Sequence, residues 1–123
     1  MYQFVESGCE PSKIILGIPC YGRHHKNPAM VKTVAELIEE GIVAEKRYEL
    51  ESLKSLNSLE GFLIDSPDLI SQKVEFVVQL GLGGVFLCEI GQDYRSEKYT
   101  GGLLLQSVYA SMTTMIKTEK DEF

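Results

Sequence analysis

The stretch Lys13-Ile14-Ile15-Leu16-Gly17-Ile18-Pro19-Cys20-Tyr21-Gly22-Arg23 decides how this chain is read. Lys13 to Ile18 is a short, mostly apolar run stopped by Pro19, the pattern of a strand buried on both faces of a parallel sheet. A second such run, Gly84-Val85-Phe86-Leu87-Cys88-Glu89-Ile90, is bounded by glycines and reads the same way. Between the two, Ser66-Pro67-Asp68 offers an N-cap, a proline at the first helical position and an acid in the first turn. Leu69, Ile70, Val74, Val77 and Val78 then recur at helical spacing up to Gly81, a C-cap glycine. The helix runs into the second strand through Gly81-Leu82-Gly83-Gly84, a connection of the length usual in α/β units. Beyond that strand, Leu104, Val108, Met112 and Met115 share one face of a final helix from about Gly102 to Lys117. Strand, helix, strand, helix in this order predicts an α/β fold.

The region between the first strand and Ser66 is less regular. Asn27-Pro28 opens a predicted helix in which Val31, Val34, Leu37 and Ile38 form an apolar stripe before Gly41, and Ala44 to Leu59, rich in Glu, Lys and Leu, also reads as helical. Together they make an insertion of about 40 residues, too long for a simple loop. The residues before Lys13 supply only the end of a helix (Tyr2, Phe4 and Val5, then Gly8). Two strands do not make a stable parallel sheet. The sequence therefore implies further strands in the irregular region, a larger domain of which this chain is one piece, or completion by self-association.

Composition narrows the function classes. With 123 residues and 44% hydrophobic content the chain makes one globular domain and is not disordered. Twelve Lys and Arg against 18 Asp and Glu leave a net charge of −6, and the densest basic stretch, Arg23-His24-His25-Lys26, is short. Nucleic acid is not an expected partner. No apolar run approaches the roughly 18 residues of a membrane span. The N-terminus has neither a basic region nor an apolar stretch, so as written it carries no secretion signal. Cys9, Cys20 and Cys88 lack zinc-site spacing and read as buried thiols rather than a disulfide. Nothing implies a cofactor: Gly83-Gly84 precedes a strand, whereas a phosphate cradle needs glycines between strand and helix. His24-His25, without carboxylate or cysteine partners, reads as a solvated loop pair rather than a metal site.

Lys13 to Arg23 resembles the seventh-strand segment of chitinase-like family 18 glycoside hydrolases: lysine, an apolar pair, leucine, glycine, an apolar residue, proline, then aromatic, tyrosine, glycine, arginine. The match breaks at Cys20, where the family prefers an aromatic. Asp65-Ser66-Pro67 with Lys73, followed by Gly81-Leu82-Gly83-Gly84-Val85, resembles the family's last helix-to-strand unit, and Leu104 to Met112 its closing helix. The resemblance implies that residues 1–116 form roughly the last third of a (β/α)₈ TIM barrel, with a helical insertion at about 27–59, and that 117–123 is a charged tail. It also implies a parent that hydrolyses β-1,4-linked N-acetylglucosamine polymers, with the substrate's own acetamido group as nucleophile. The family's catalytic motif, Asp-x-x-Asp-x-Asp-x-Glu, is absent. The nearest approach, Asp65-x-x-Asp68, continues with Ile70 and Gln72 and reads as a helix cap. The family's Met-x-Tyr-Asp segment is missing too, so this chain alone is expected to be inactive. Such parents are often secreted, which leaves localisation open.

Residues at the C-terminal ends of barrel strands line the site. Here the resemblance points to Tyr21, Arg23 and Glu89 as substrate-binding residues, with Cys88, Gln92 and Asp93 as candidates for the wall. An aromatic face for the apolar side of a pyranose and a planar donor for its hydroxyls suit a sugar. Each residue also has a plainer reading. Tyr21 could pack under the insertion, Arg23 and Glu89 could form a structural ion pair, and Cys88 could be packed rather than nucleophilic. Cys88 stands where the family places the tryptophan floor of its central subsite, and the chain has no tryptophan. The expected ligand is an N-acetylglucosamine oligosaccharide or chitin, weakly bound. A non-catalytic carbohydrate-binding pseudoenzyme and an oligomeric α/β interaction domain are the rival expectations.

Overall fold

In a computed structural model of the chain, residues 7–44 and 53–121 are described. Pro11–Lys13 forms a 3-10 turn closed by the Ile14 amide donating to the Pro11 carbonyl at 3.0 Å, so strand β1 begins at Ile15 and runs to Pro19. It pairs in parallel with β6, Gly84–Cys88, with Ile15 opposite Gly84 and Pro19 opposite Cys88. Between them the chain forms β2 (Tyr21–His24), β3 (Val31–Thr33), helix α1 (Val34–Ile38), β4 (Ser58–Leu59), β5 (Phe62–Leu63) and helix α2 (Pro67–Leu80). Helix α3 (Leu103–Asp121) follows β6.

Helix α2 starts where its local signals place it. The Ser66 hydroxyl accepts from the Leu69 amide at 3.2 Å, and Gly81 ends the helix in the left-handed conformation. Its Ile70, Val74 and Val77 are buried, and its Ser71 meets Ser111 of α3 at 2.9 Å. The alternation of β1 and β6 turns Leu16, Ile18, Val85 and Leu87 to one face and Ile15, Gly17, Pro19, Gly84, Phe86 and Cys88 to the other. Ile18 joins the core, with Val85 and Leu87 packed against it. The other face is open: Ile15 is 55% and Phe86 51% exposed. The strands are thus not buried on both faces within this chain, because no second layer covers the Ile15–Phe86 side among the described residues.

The irregular region does contain further strands, but they do not extend the parallel pair. They form a separate antiparallel sheet of order β3-β2-β5-β4. The helix expected from Asn27 is replaced by a turn in which the Asn27 carbonyl accepts from Met30 at 2.9 Å and its side chain from Ala29 at 3.3 Å. That competition by asparagine, with β-branched Val31 and Thr33 in range of β2, favours a strand. The helix begins at Val34, where Thr33 accepts from the Glu36 amide, and continues past Ile38 as a π-type turn to Ala44. Val34, Leu37 and Ile38 are buried as the stripe required, while Val31 is exposed. Of the helix expected over Ala44–Leu59, Ser58–Leu59 is strand and residues 45–52 lie outside the described residues. Helix α3 extends to Asp121, so residues 117–121 continue it rather than forming a separate tail. No described helix is long and apolar enough to cross a membrane.

One core joins the two sheets to the helices. Ile18 and Cys20, Val34, Leu37 and Ile38, Leu59 and Phe62, Ile70 and Val74, and Leu104 all belong to it. Gly22 shows how tight the junction is: a Cβ there would stand 2.8 Å from Ile64 Cγ2 and 3.0 Å from Leu37 Cδ1.

Candidate functional site

Cys20 is the joint between the two sheets. Its amide donates to the Cys88 carbonyl at 2.8 Å, closing the parallel ladder, and its carbonyl accepts from Val34. Beyond it the chain turns into β2, so Tyr21 and Arg23 leave the same end of the β1–β6 pair from which Glu89 leaves β6. The topology therefore brings these three residues to one end of the molecule.

Tyr21 and Arg23 project from one face of β2, two residues apart. The Arg23 guanidinium carbon lies 5.6 Å from the centroid of the half-buried Tyr21 ring, a cation–π contact, and its Nη1 donates to the Pro28 carbonyl at 2.9 Å. Arg23 is otherwise exposed and makes no ion pair with Glu89 among the described residues; its guanidinium bonds the carbonyl of the Asn27–Met30 turn instead. Across the sheet Arg23 stands between Val31 and Leu63, both exposed. Sequence reasoning had no signal for these flanking residues, because they come from strands of two and three residues.

Glu89 is exposed and follows Cys88 through a cis peptide bond. It opens a 3-10 turn, Ile90–Gln92, in which Gln92 Oε1 accepts from the Glu89 amide at 3.2 Å. Gln92 thus caps this turn. Asp93 is placed differently from the expected wall residue: it is 2% exposed, and its carboxylate accepts from the amides of Tyr94, Leu104 and Leu105 at 2.8, 3.0 and 2.9 Å. It closes the N-terminus of α3, which has only Gly102 before it and no capping side chain of its own. Arg95, which the sequence reading passed over, ties the same loop by donating to the carbonyls of Ile90 and Asp93 at 2.9 and 3.3 Å.

The cysteines are all free. Cys20 is buried as expected; burial first, then the negative charge of Asp93, pushes its thiol up to about 12. Cys88 is exposed, contrary to the packed reading, because it lies on the uncovered face of the parallel pair. His24 and His25 stack at 4.9 Å, and the pair is held by structure rather than left in a free loop. His24 packs edge-on against Phe62 and His25 Nδ1 lies 2.9 Å from the Gly61 carbonyl. No group of metal-ligating side chains is assembled among the described residues.

No protein-family model matches the chain. Its structure is similar to the GH18 chitinase ChiB from the chitin utilization locus of Flavobacterium johnsoniae, with 22% identity and a TM-score of 0.69, over 91% of this chain and 32% of that one. A chitinase from Bacteroides thetaiotaomicron matches 85% of this chain with 33% of its own, at 17% identity and a TM-score of 0.64. The α/β fold is shared with part of a chitinase. A chitinase-like agglutinin from Robinia pseudoacacia matches as well, at 21% identity and a TM-score of 0.62, over 90% of this chain and 35% of that one. The chain spans about a third of the length of these proteins, and the resemblance read from Lys13–Arg23 is to the same GH18 group that the structure resembles.

Proposed function

We infer that this chain forms part of the wall of a family 18 glycoside-hydrolase-like (β/α)₈ barrel that binds β-1,4-linked N-acetylglucosamine polymers, and that it does not hydrolyse them by itself. The observation that carries this reading is the shared fold with chitinases over 85–91% of the chain, which accompanies the Lys13–Arg23 motif. In this reading residues 1–116 are the last strands and helices of the barrel, with 27–59 inserted after β1. Tyr21 offers its ring to the apolar side of a sugar. Arg23, which spends one N–H on Pro28, keeps others for hydroxyl or carbonyl oxygens. Glu89 accepts from hydroxyls at the end of β6. Hydrolysis is not expected because the 123 residues contain no Asp-x-x-Asp-x-Asp-x-Glu.

A second reading, a non-catalytic carbohydrate-binding protein, is favoured by Cys88 standing where the family has tryptophan and by the agglutinin among the similar structures. One titration addresses the binding claim common to both. Chitotetraose added to the chain is expected to give saturable, millimolar binding that Tyr21→Ala abolishes and Arg23→Ala weakens. No saturation at any soluble concentration rejects the sugar site. Turnover that Glu89→Gln removes, in protein free of contaminating enzyme, rejects the inactivity.

A further inference from the structure

Charge is spread unevenly along this chain. From Pro11 to Ala35 there is no Asp or Glu, although the chain carries 18 of them and a net charge of −6. The same stretch holds Lys13, Arg23, Lys26 and Lys32. Lys13 lies 3.9 Å from Glu10 and Lys32 2.7 Å from Glu40, whereas Arg23 and Lys26 have no carboxylate partner among the described residues. The antiparallel sheet fixes the surroundings of Arg23. Its cross-strand neighbours are Val31 on β3 and Leu63 on β5, and Leu63 is in turn opposite Ser58 on β4. Residues directly opposite one another share a face, so Val31, Arg23, Leu63 and Ser58 form one row across the sheet. All four are exposed, Val31 at 44% and Leu63 at 57%. Gly22, Phe62 and Leu59, one position along from them, are buried, so the row lies on the outer face. Tyr21 stands two residues back on β2 on that same face, its ring centroid 5.6 Å from the Arg23 guanidinium carbon. This face therefore presents one cation, anchored by Nη1 on the Pro28 carbonyl, between two apolar side chains and beside an aromatic ring, with no acid in the row.

A neutral sugar uses the hydrogen bonds of a guanidinium but leaves its charge unmatched, whereas a carboxylate matches both. Val31 and Leu63 call for an apolar group next to that carboxylate, and a carboxylate carried on a branched alkyl ether supplies one. Two unmatched cations are too few for a nucleic-acid backbone, whose binders neutralise several phosphates. We propose that this sheet face binds an acidic β-1,4-linked amino-sugar oligomer, in which N-acetylglucosamine alternates with a unit bearing a carboxylate on a branched alkyl ether, more tightly than the neutral polymer. The inference rests on the sugar-binding reading above and names its substrate class. The carboxylate meets the free N–H groups of Arg23, the alkyl branch lies against Val31 or Leu63, and Tyr21 takes the adjoining pyranose.

The probe is the peptide-free tetrasaccharide of alternating N-acetylglucosamine and N-acetylmuramic acid, compared with chitotetraose by calorimetric titration of the 123-residue chain at low salt. The acidic tetrasaccharide is expected to bind about tenfold more tightly, an advantage that shrinks as salt is added. Reducing its carboxylates to alcohols removes the advantage, and Arg23→Gln brings the two ligands to equal affinity. Leu63→Ser, at an exposed position, weakens the acidic ligand about threefold and leaves chitotetraose unchanged. Equal or tighter binding of chitotetraose by the wild type overturns the proposal and leaves the sugar site standing. Absence of binding by both ligands rejects the sugar site and the proposal with it. An advantage that persists in Arg23→Gln overturns the proposal, as does displacement of the tetrasaccharide by a single-stranded oligonucleotide at equal concentration, which marks a general anion-binding surface.

Discussion

Asp93 is buried and accepts three backbone N–H groups, two of them at the start of α3. Removing the carboxylate leaves those donors without a protein partner, so Asp93→Ala is expected to cost about 2–3 kcal/mol, read by urea unfolding. Gly102 makes the approach possible: at φ 111° a Cβ would stand within contact-breaking range of the Asp93 carboxylate. Gly102→Ala is therefore expected to destabilise by a similar amount, and the double variant to lose less than the sum, since both break one contact. A second residue-scale effect concerns Cys20. Folding keeps the proton on this thiol up to about 12, whereas the unfolded chain releases it in the ordinary thiol range. Between those values the folded state binds more protons, so stability falls as pH rises. Melting temperatures measured from pH 8 to pH 11 should drop more steeply for the wild type than for Cys20→Ala. Parallel slopes would show that the thiol does not titrate differently on folding. The capping role of Asp93 is not legible locally because its partners lie 11 and 12 residues further on; the available signal is a helix that starts after Gly101-Gly102 with no capping side chain of its own.

The elements divide by how local their causes are. Helix α2 was legible because its cap, its proline, its apolar spacing and its terminal glycine all lie within the element. Ser66→Ala removes both the acceptor for Leu69 and the donor to Asn57 at 2.6 Å, and should cost about 1–2 kcal/mol by thermal melts. The parallel strands were legible as well, from their apolar runs, although their burial was overestimated: a run of that kind records the environment of the finished sheet, not of two strands. The antiparallel sheet was not legible. Its strands are two to four residues long, too short for alternation to register, and each is stabilised by partners up to about 40 positions away. The stripe Val34, Leu37 and Ile38 was found because it faces the core, and Val31 was wrongly added because its spacing fits a helix while its pairing with Arg23 makes a strand. Leu37, fully buried against Gly22, holds α1 to the sheet, so Leu37→Ala is expected to cost about 3 kcal/mol.

At the scale of the whole molecule, one side is finished and the other is not. Ile18, Val85 and Leu87 meet the core that also holds Ile70 and Val74 of α2 and Leu104 and Val108 of α3, and Tyr21, Arg23 and Glu89 lie at the end of the parallel pair where β2 begins. On the opposite side Ile15 and Phe86 meet solvent, and the outer edges of β1 and β6 lack neighbouring strands among the described residues. The candidate site was legible only as the ends of two strands. What holds its loop, the Arg95 and Asp93 hydrogen bonds, depends on contacts formed after folding. The unevenness has a measurable consequence in hydrogen exchange, because an amide is protected only while it is both bonded and covered. In the 123-residue chain, amides in the shared β1–β6 ladder and in the middle of α2 should exchange slowest. Those pointing to the outer edges of the two strands should exchange almost as fast as loop amides. If the edge amides of the 123-residue chain are already as slow as the shared ladder, the sheet is complete by itself, and the barrel reading loses its structural ground.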